Sequence, residues 1–272
     1  MRIATWNVEN LHAVDGQSTF TGGDPSVQRF AIDYERMKCY VRLFDPDILA
    51  VQEVDGEAAL KRVVDTDVYE VVVSKRSKPN FMNGQQNTGF AYKKGLSVQP
   101  REDFTDIDVS NGSLRRGTRI DLTHQGKTFH LMSVHLKSGG FDNGSSGSAC
   151  QKLFTQVPKL EQWIDDAAAG SNPFIVLGDF NRRFNRPEDL VWTNLDDAEP
   201  PNADLTAITE HMPISCRDNK FTDFIDHLVF DKRAIAFVDR SSFRHVTYRQ
   251  ADREVWNKIS DHCPVVVEMW VQ

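Results

Sequence analysis

Short apolar runs that end in polar residues recur along the chain. Arg2-Ile3-Ala4-Thr5-Trp6-Asn7-Val8 opens as an alternating strand over 2–8 and leads into a polar loop. From Gln28 to Phe44 the apolar residues Phe30, Tyr34, Met37, Val41 and Phe44 fall on one side of a helix, which Pro46 terminates. A strand over 47–52, a short helix near 56–64 and a strand over 68–74 follow. Segments 88–93, 96–101, 115–123 and 127–137 read as antiparallel strands, the last two joined by a turn at His124-Gln125-Gly126-Lys127. Residues 148–169 form an amphipathic helix with Leu153, Val157, Leu160 and Ile164 as its core stripe. A buried strand over 173–178 precedes a long stretch, containing Asp and Pro, that runs to residue 222. Strands near 224–230, 234–238 and 264–271 close the chain. This order alone gives a mixed α/β fold.

The strand ends carry the chemistry. Pro173-Phe174-Ile175-Val176-Leu177 ends in Gly178-Asp179-Phe180-Asn181, and residues two apart on a strand share a face, so Asp179 and Asn181 are expected to project together. The first strand ends in Asn7-x-Glu9 and the second in Gln52-Glu53. His135 and Lys137 fall on one face of another strand. Asp226 sits inside the apolar run Phe224–Phe230, and Asp261-His262 directly precedes the final strand. Ionisable groups buried without partners are costly, and one shared polar site with a metal removes that cost. His227 follows Asp226, points to the opposite face and is left out of the catalytic set. Trp6 is assigned to core packing.

Taken in order, Trp6-Asn7-Val8-Glu9-Asn10, Gln52-Glu53, His135, Gly178-Asp179-Phe180-Asn181, Ile225-Asp226-His227 and Ser260-Asp261-His262-Cys263-Pro264 resemble the endonuclease/exonuclease/phosphatase superfamily, the deoxyribonuclease I-like fold. Each motif is short, but six in family order cover nearly the whole chain. The chain looks most like bacterial extracellular or periplasmic nuclease-type members. The resemblance implies a four-layer α/β sandwich, two packed mixed sheets flanked by helices, spanning 1–272 as one domain.

It also implies a divalent-metal-dependent phosphodiester hydrolase. Hard oxygen ligands without thiolates suit Mg²⁺, with Mn²⁺ or Ca²⁺ as alternatives. Glu53 is expected to be the main metal carboxylate, helped by Asn7, Asp261 and Glu9. His262 is the candidate general base, and Asp226 would fix its tautomer. Asp179 and Asn181 would orient the attacking water and bind a phosphate oxygen. His135 would donate to a non-bridging oxygen or assist the leaving group. His135 stands where abasic-site repair endonucleases have a tyrosine-bearing segment, which argues against an abasic-site specialist. The expected substrate is DNA. A lipid or small-molecule phosphodiester, as for sphingomyelinase-like or phosphoinositide-phosphatase-like members, is the alternative.

Composition bounds this reading. At 272 residues the chain shows no linker, repeat or charge block, and no apolar run approaches a membrane span. Ser138–Ser148 is expected to be a surface loop. The net charge of −7 counts against a tight, processive nucleic-acid binder. The cations Arg115, Arg116, Arg119, Lys137, Arg182, Arg183 and Arg186 cluster near the motifs, and Lys137, Arg116 and Arg183 are the phosphate-binding candidates. Phe141 and Phe81-Met82 are isolated apolar residues in polar loops, either weak membrane contacts or loop anchors. The expectation is a monomer without stable membrane insertion. No secretory signal precedes the first strand, yet an extracellular or periplasmic location is expected, with the cytoplasm as alternative. Of four cysteines, Cys39 and Cys263 read as core residues and a Cys150–Cys216 disulfide is expected.

Overall fold

The computed structural model describes residues 1–19, 27–76, 84–197, 199–200, 203–216 and 222–270. Phe81-Met82 lies outside them. The strands are β1 (Arg2–Leu11), β2 (Ile48–Val54), β3 (Tyr69–Val73), β4 (Asn87–Lys93), β5 (Ser97–Phe104), β6 (Gly117–His124), β7 (Lys127–His135), β8 (Phe174–Asp179), β9 (Leu205–Ala207), β10 (Asp226–Asp231), β11 (Val238–His245) and β12 (Val265–Met269). The α-helices are α1 (Ala31–Phe44), α2 (Glu57–Val63), α3 (Ser148–Ala169) and α4 (Leu190–Leu195). They build two six-stranded mixed sheets, ordered β11-β12-β1-β2-β4-β3 and β5-β6-β7-β8-β10-β9.

The central strands are apolar on both faces because both faces are covered. Ile3, Ile48 and Ala50 turn inward against Ile175, Leu177, Leu228 and Phe230 of the other sheet. Their neighbours Ala4, Trp6, Leu49 and Val51 turn outward onto Tyr34, Met37, Val41 and Phe44 of α1. On the far side Met132, Val134, Phe174 and Val176 pack against Leu153, Val157, Leu160 and Ile164 of α3. The four layers follow from that two-sided burial, each large buried side chain contributing roughly 1.5–3 kcal/mol. Near the carboxyl ends of β1, β2 and β7 the seam between the sheets turns polar. Gln52 Nε2 donates to Thr5 Oγ1 at 3.1 Å and to Ser133 Oγ at 3.2 Å, and Ser133 Oγ donates to the Val51 carbonyl at 3.2 Å.

Registers bring the motif residues together. β1 and β2 run parallel with Asn7 opposite Gln52. β7 and β8 run parallel with His135 opposite Asp179, and antiparallel β10 places Asp226 opposite Asp179. Gly178, at φ 144°, lies so close to β7 that a Cβ would come within 2.1 Å of the Val134 carbonyl oxygen. Only glycine allows that approach, and it fixes the spacing of the His135 and Asp179 strand ends.

Three expectations are corrected. Residues 235–237 form a turn of 3₁₀ helix, and the strand is the polar, half-exposed β11, which lacks the apolar alternation that marks strands. The disulfide joins Cys216 to Cys263, with Cα atoms 5.8 Å apart. Cys150, assigned to a pair with Cys216, is a free buried thiol, and Cys263 is in the core as expected but bonded to Cys216. Folding carries Cys216 to the start of β12 across 47 residues, a proximity that sequence spacing does not encode. Cys39 is free and exposed on α1, not in the core.

Candidate active site

The site is built where the ends of both sheets meet. The same-face argument for Asn7-x-Glu9 and Asp179-x-Asn181 needs continuous strand, and the backbone departs from it. Glu9 and Asn10 adopt φ 48° and 52°, Glu53 φ 62° and Asn181 φ 52°. The β1–β2 register breaks between Asn7 and Leu11, and Asn181 lies beyond the end of β8. Left-handed residues at strand ends thus re-aim the side chains. Asn181 N donates to Asp179 Oδ1 at 2.8 Å, and Asn181 Nδ2 to the Leu136 carbonyl at 3.1 Å.

Glu53, Asp179, Asn181, His135, Asp226, Asp261 and His262 line one cavity of about 460 Å³. Asn7 braces it, its Nδ2 donating to Asp179 Oδ2 at 3.0 Å and to Glu53 Oε1 at 3.4 Å. Glu53 Oε2 accepts from Asn10 N at 3.0 Å and Gln86 Nε2 at 3.1 Å. Glu9 Oε2 accepts from Asp261 N at 2.8 Å. His262 Nδ1 donates to Asp226 Oδ2 at 2.6 Å, and its Nε2 lies 3.8 Å from Asp261 Oδ1 and 3.9 Å from Asp179 Oδ2. Ser260 Oγ accepts from His262 N at 3.0 Å and donates to the Asn7 carbonyl at 2.6 Å. Trp6 Nε1 donates to the His262 carbonyl at 3.1 Å while its ring packs edge-on against Phe44.

The electrostatics are those of crowded carboxylates. Burial and the facing Asp226 push Asp179 up to about 7. Burial and Asp261 push Glu9 up to about 7. Burial lowers His262, but Asp226, Asp261 and Asp179 outweigh it and raise the imidazole well above its ordinary value. His135 goes the other way. Burial, Arg115 and His262 hold it well below its ordinary value. Its Nε2 lies 3.4 Å from Asp179 Oδ2 and 3.7 Å from Glu53 Oε1, so these are contacts of a neutral ring, not ion pairs. His135 Nδ1 and Asp226 Oδ1 are buried without a hydrogen-bond partner.

The cations divide. Arg183 lines the cavity and pairs with Asp142 at 3.0 Å. Lys137 lies past the end of β7, its Nζ donating to Ser138 at 3.3 Å, and neither it nor Arg116 lines the cavity. Arg182 does not line the cavity: it is fully buried and bound to Asp189 at 2.7 Å and the Gly140 carbonyl at 2.8 Å. Arg186 pairs with Asp223. Arg119 lines a different cavity, with Asp121 and His130. His227 is sealed in the core between the Thr209 hydroxyl and the Arg182 carbonyl, and burial lowers it to about 4.

Sequence reading missed the roles of two arginines. Arg115 lines the cavity and donates to Gln86 Oε1, so a guanidinium stands behind the Glu53 carboxylate. Buried Arg29 donates to the carbonyls of Val8, Glu9, Lys258 and Ile259 at 2.7–3.1 Å, tying the end of β1 to the segment before Asp261. No signal marks Arg29, which reads as part of the helix expected from Gln28 but lies just before α1 begins at Ala31. Arg115 was visible as a cation but not as a lining residue, because its place depends on how the β5–β6 connection folds.

Two packed six-stranded mixed sheets flanked by helices, with carboxylates and histidines gathered at their shared end, are the deoxyribonuclease I-like fold. The model of the Endonuclease/Exonuclease/phosphatase family matches residues 4–262, and the chain belongs to that family. No curated protein sequence matches it. Solved structures share the fold at low identity. An AP endonuclease from Leishmania major aligns at 17% identity and TM-score 0.66, over 100% of this chain and 88% of its own. A 3′ phosphatase from Neisseria bound to product DNA hairpin aligns at 17% and 0.63, over 99% of each chain. A mannosyl-6-phosphatase from Bacteroides thetaiotaomicron aligns at 17% and 0.63, over 100% of each chain. Members of the family are phosphoester hydrolases.

Proposed function

We propose that the chain is a divalent-metal-dependent phosphodiesterase and that its substrate is DNA, cleaved by water that His262 activates. The observation that carries the reading is the His262–Asp226 pair at 2.6 Å, aimed into the same cavity as Glu53, Asp179 and Asp261. Asp226 holds the proton on Nδ1, and once the carboxylates that raise the imidazole are offset by a bound cation, Nε2 is free to take a proton from water. Asp179 and Asn181 orient that water, and neutral His135 donates to a phosphate oxygen. Arg183 and Arg115 face the phosphate, and Lys137 and Arg116 lie outside the cavity.

The residues fit a divalent cation. Glu9 and Asp179 are raised to about 7 by burial and neighbouring carboxylates, and Asp226 keeps a buried oxygen without a partner. Such a group of hard oxygens calls for a counter-charge. Glu53 would hold the cation, with Asn7, Asp261 and Glu9 around it, and Mg²⁺ or Mn²⁺ suits that donor set. Cys216 and His245 lie close to Cys263, but the two sulfurs are bonded to each other and offer no thiolate. Bound there, the cation would neutralise charge developing on the phosphate. The disulfide also supports an oxidising compartment, extracellular or periplasmic.

A second reading, hydrolysis of a small soluble phosphoester, is favoured by the net charge of −7, which repels a polyanion. Supercoiled plasmid separates the two. Nicking with Mg²⁺ or Mn²⁺, abolished by EDTA and by His262→Ala, is expected. Turnover of bis(p-nitrophenyl) phosphate by the wild type without any nicking would retain the phosphodiesterase and overturn DNA.

A further inference from the structure

The catalytic groups occupy only one part of the cavity. Beside them one wall of the lining carries an apolar patch, Ile214, Phe224, Ile225 and the Cys216–Cys263 disulfide, with Phe141, His245, Thr222 and Asp223 around it. A volume of about 460 Å³ falls within the roughly 300–1,000 Å³ that houses a whole small molecule, well beyond a bare phosphate. The wall is braced from behind. Phe224 meets Phe243 edge-on at 6.0 Å and the His245 ring at 4.7 Å. His245 Nδ1 accepts from Ser215 N at 3.1 Å, which fixes the proton on the other ring nitrogen. The disulfide ties the Ile214–Cys216 segment to Cys263, next to His262.

We propose that this wall is the subsite for the organic group esterified to the phosphate, and that it selects a flat aromatic group, a nucleobase, over a hydroxyl-rich sugar. The proposal rests on the phosphoester reading of the same site and adds which side chains choose the substrate. A sugar ring brings several hydroxyls, each needing a partner when buried. Ile214, Phe224 and a disulfide supply none, and Thr222 and Asp223 beside them are already engaged with each other and with Asn185 and Arg186. A base presents a π-face that packs on apolar and aromatic surface. Because the wall begins beside Asp226-His262, a base seated there places its phosphate among the catalytic groups.

Isothermal titration of the Mg²⁺-loaded protein with three probes tests this: 2′-deoxyadenosine 5′-monophosphate, mannose 6-phosphate and inorganic phosphate. The wild type should bind the nucleotide roughly fivefold or more tightly than either other probe, the lower bound for one base stacked on an aromatic side chain. Phe224→Ala should remove most of that preference and leave inorganic phosphate unchanged. Ile214 is half-buried, so Ile214→Ser keeps the test intact where Phe224→Ala fails to fold, and it should narrow the preference in the same direction. Equal affinity for all three probes overturns the subsite while sparing the phosphoester reading. So does a loss in the variants that is as large for phosphate as for nucleotide. A wild type that binds none of the three overturns both.

Discussion

Two Asp–His pairs in this protein have the same geometry and different surroundings. His262 Nδ1 lies 2.6 Å from Asp226, and His130 Nδ1 lies 2.6 Å from Asp121. Each borders a cavity, about 460 Å³ for the first and about 500 Å³ for the second. Asp121 and His130 face each other across adjacent strands, β6 and β7. Burial raises Asp121, but Arg101 and His130 outweigh it and hold the carboxyl below its usual range. Asn172 occupies the other nitrogen of His130 at 3.2 Å. There Arg101 pairs with Asp121, and Arg119 lines the cavity alongside Glu102 and Asp166, so cations stand among the carboxylates. Around His262 the balance fails: Asp226, Asp261 and Asp179 surround one imidazole, and Glu53 and Glu9 crowd behind them. The lesson is that neither the pair nor the size of its cavity marks a site. The unbalanced charge does, because a cation, a substrate or added protons must offset it.

The contrast can be broken most forcefully by deleting each histidine. His262→Ala should lower kcat on bis(p-nitrophenyl) phosphate by roughly 10²–10⁴-fold, the usual contribution of a general base. His130→Ala should stay within about twofold. Comparable losses in both would remove the distinction.

The charge imbalance predicts a pH effect of fixed sign. Glu9 and Asp179, raised to about 7, carry protons below that pH, and an incoming cation must displace them. Mg²⁺ affinity should therefore rise with pH, by roughly tenfold between pH 6 and pH 8 if one such proton is released. Calorimetry in buffers of different ionisation enthalpy would count the proton. A pH-independent affinity contradicts the raised carboxyls.

A third test separates a staple from a spectator. The Cys216–Cys263 bridge closes 47 residues, so Cys216→Ser should destabilise the fold by up to about 4 kcal/mol on chain-entropy grounds. Cys150→Ser, at a free thiol, should shift the denaturation midpoint far less. The smallest effect belongs to Arg101→Ala. It should let the Asp121 carboxyl rise in an NMR titration while turnover is unchanged.

Much of this was legible in the chain. α3 spans the residues that its apolar stripe marked, and β1, β2, β8, β10 and β12 lie within a few residues of their apolar runs. The polar strand ends named Glu53, Asp179, Asp226, Asp261 and His262, and folding gathers all five at one cavity. What escaped has common physical causes. β9 has three residues and α4 six, too few for periodicity to show. β11 is half-exposed and carries no alternation. Arg29 acts through four backbone carbonyls, a role invisible without the chain's path. Asn181 came out correctly at the cavity for the wrong reason, since a left-handed turn and not strand pleating places it there.

Those left-handed turns carry a consequence for how this protein can change. Among the described residues, four of the eight non-glycine positions with positive φ are Glu9, Asn10, Glu53 and Asn181, all around one site. Each such backbone costs on the order of 1–3 kcal/mol and persists only because its surroundings enforce it. Glycine at Glu9 or Glu53 would relax the chain and at the same stroke delete a carboxylate. Selection for a sturdier molecule and selection for a working one therefore pull in opposite directions at the same few residues.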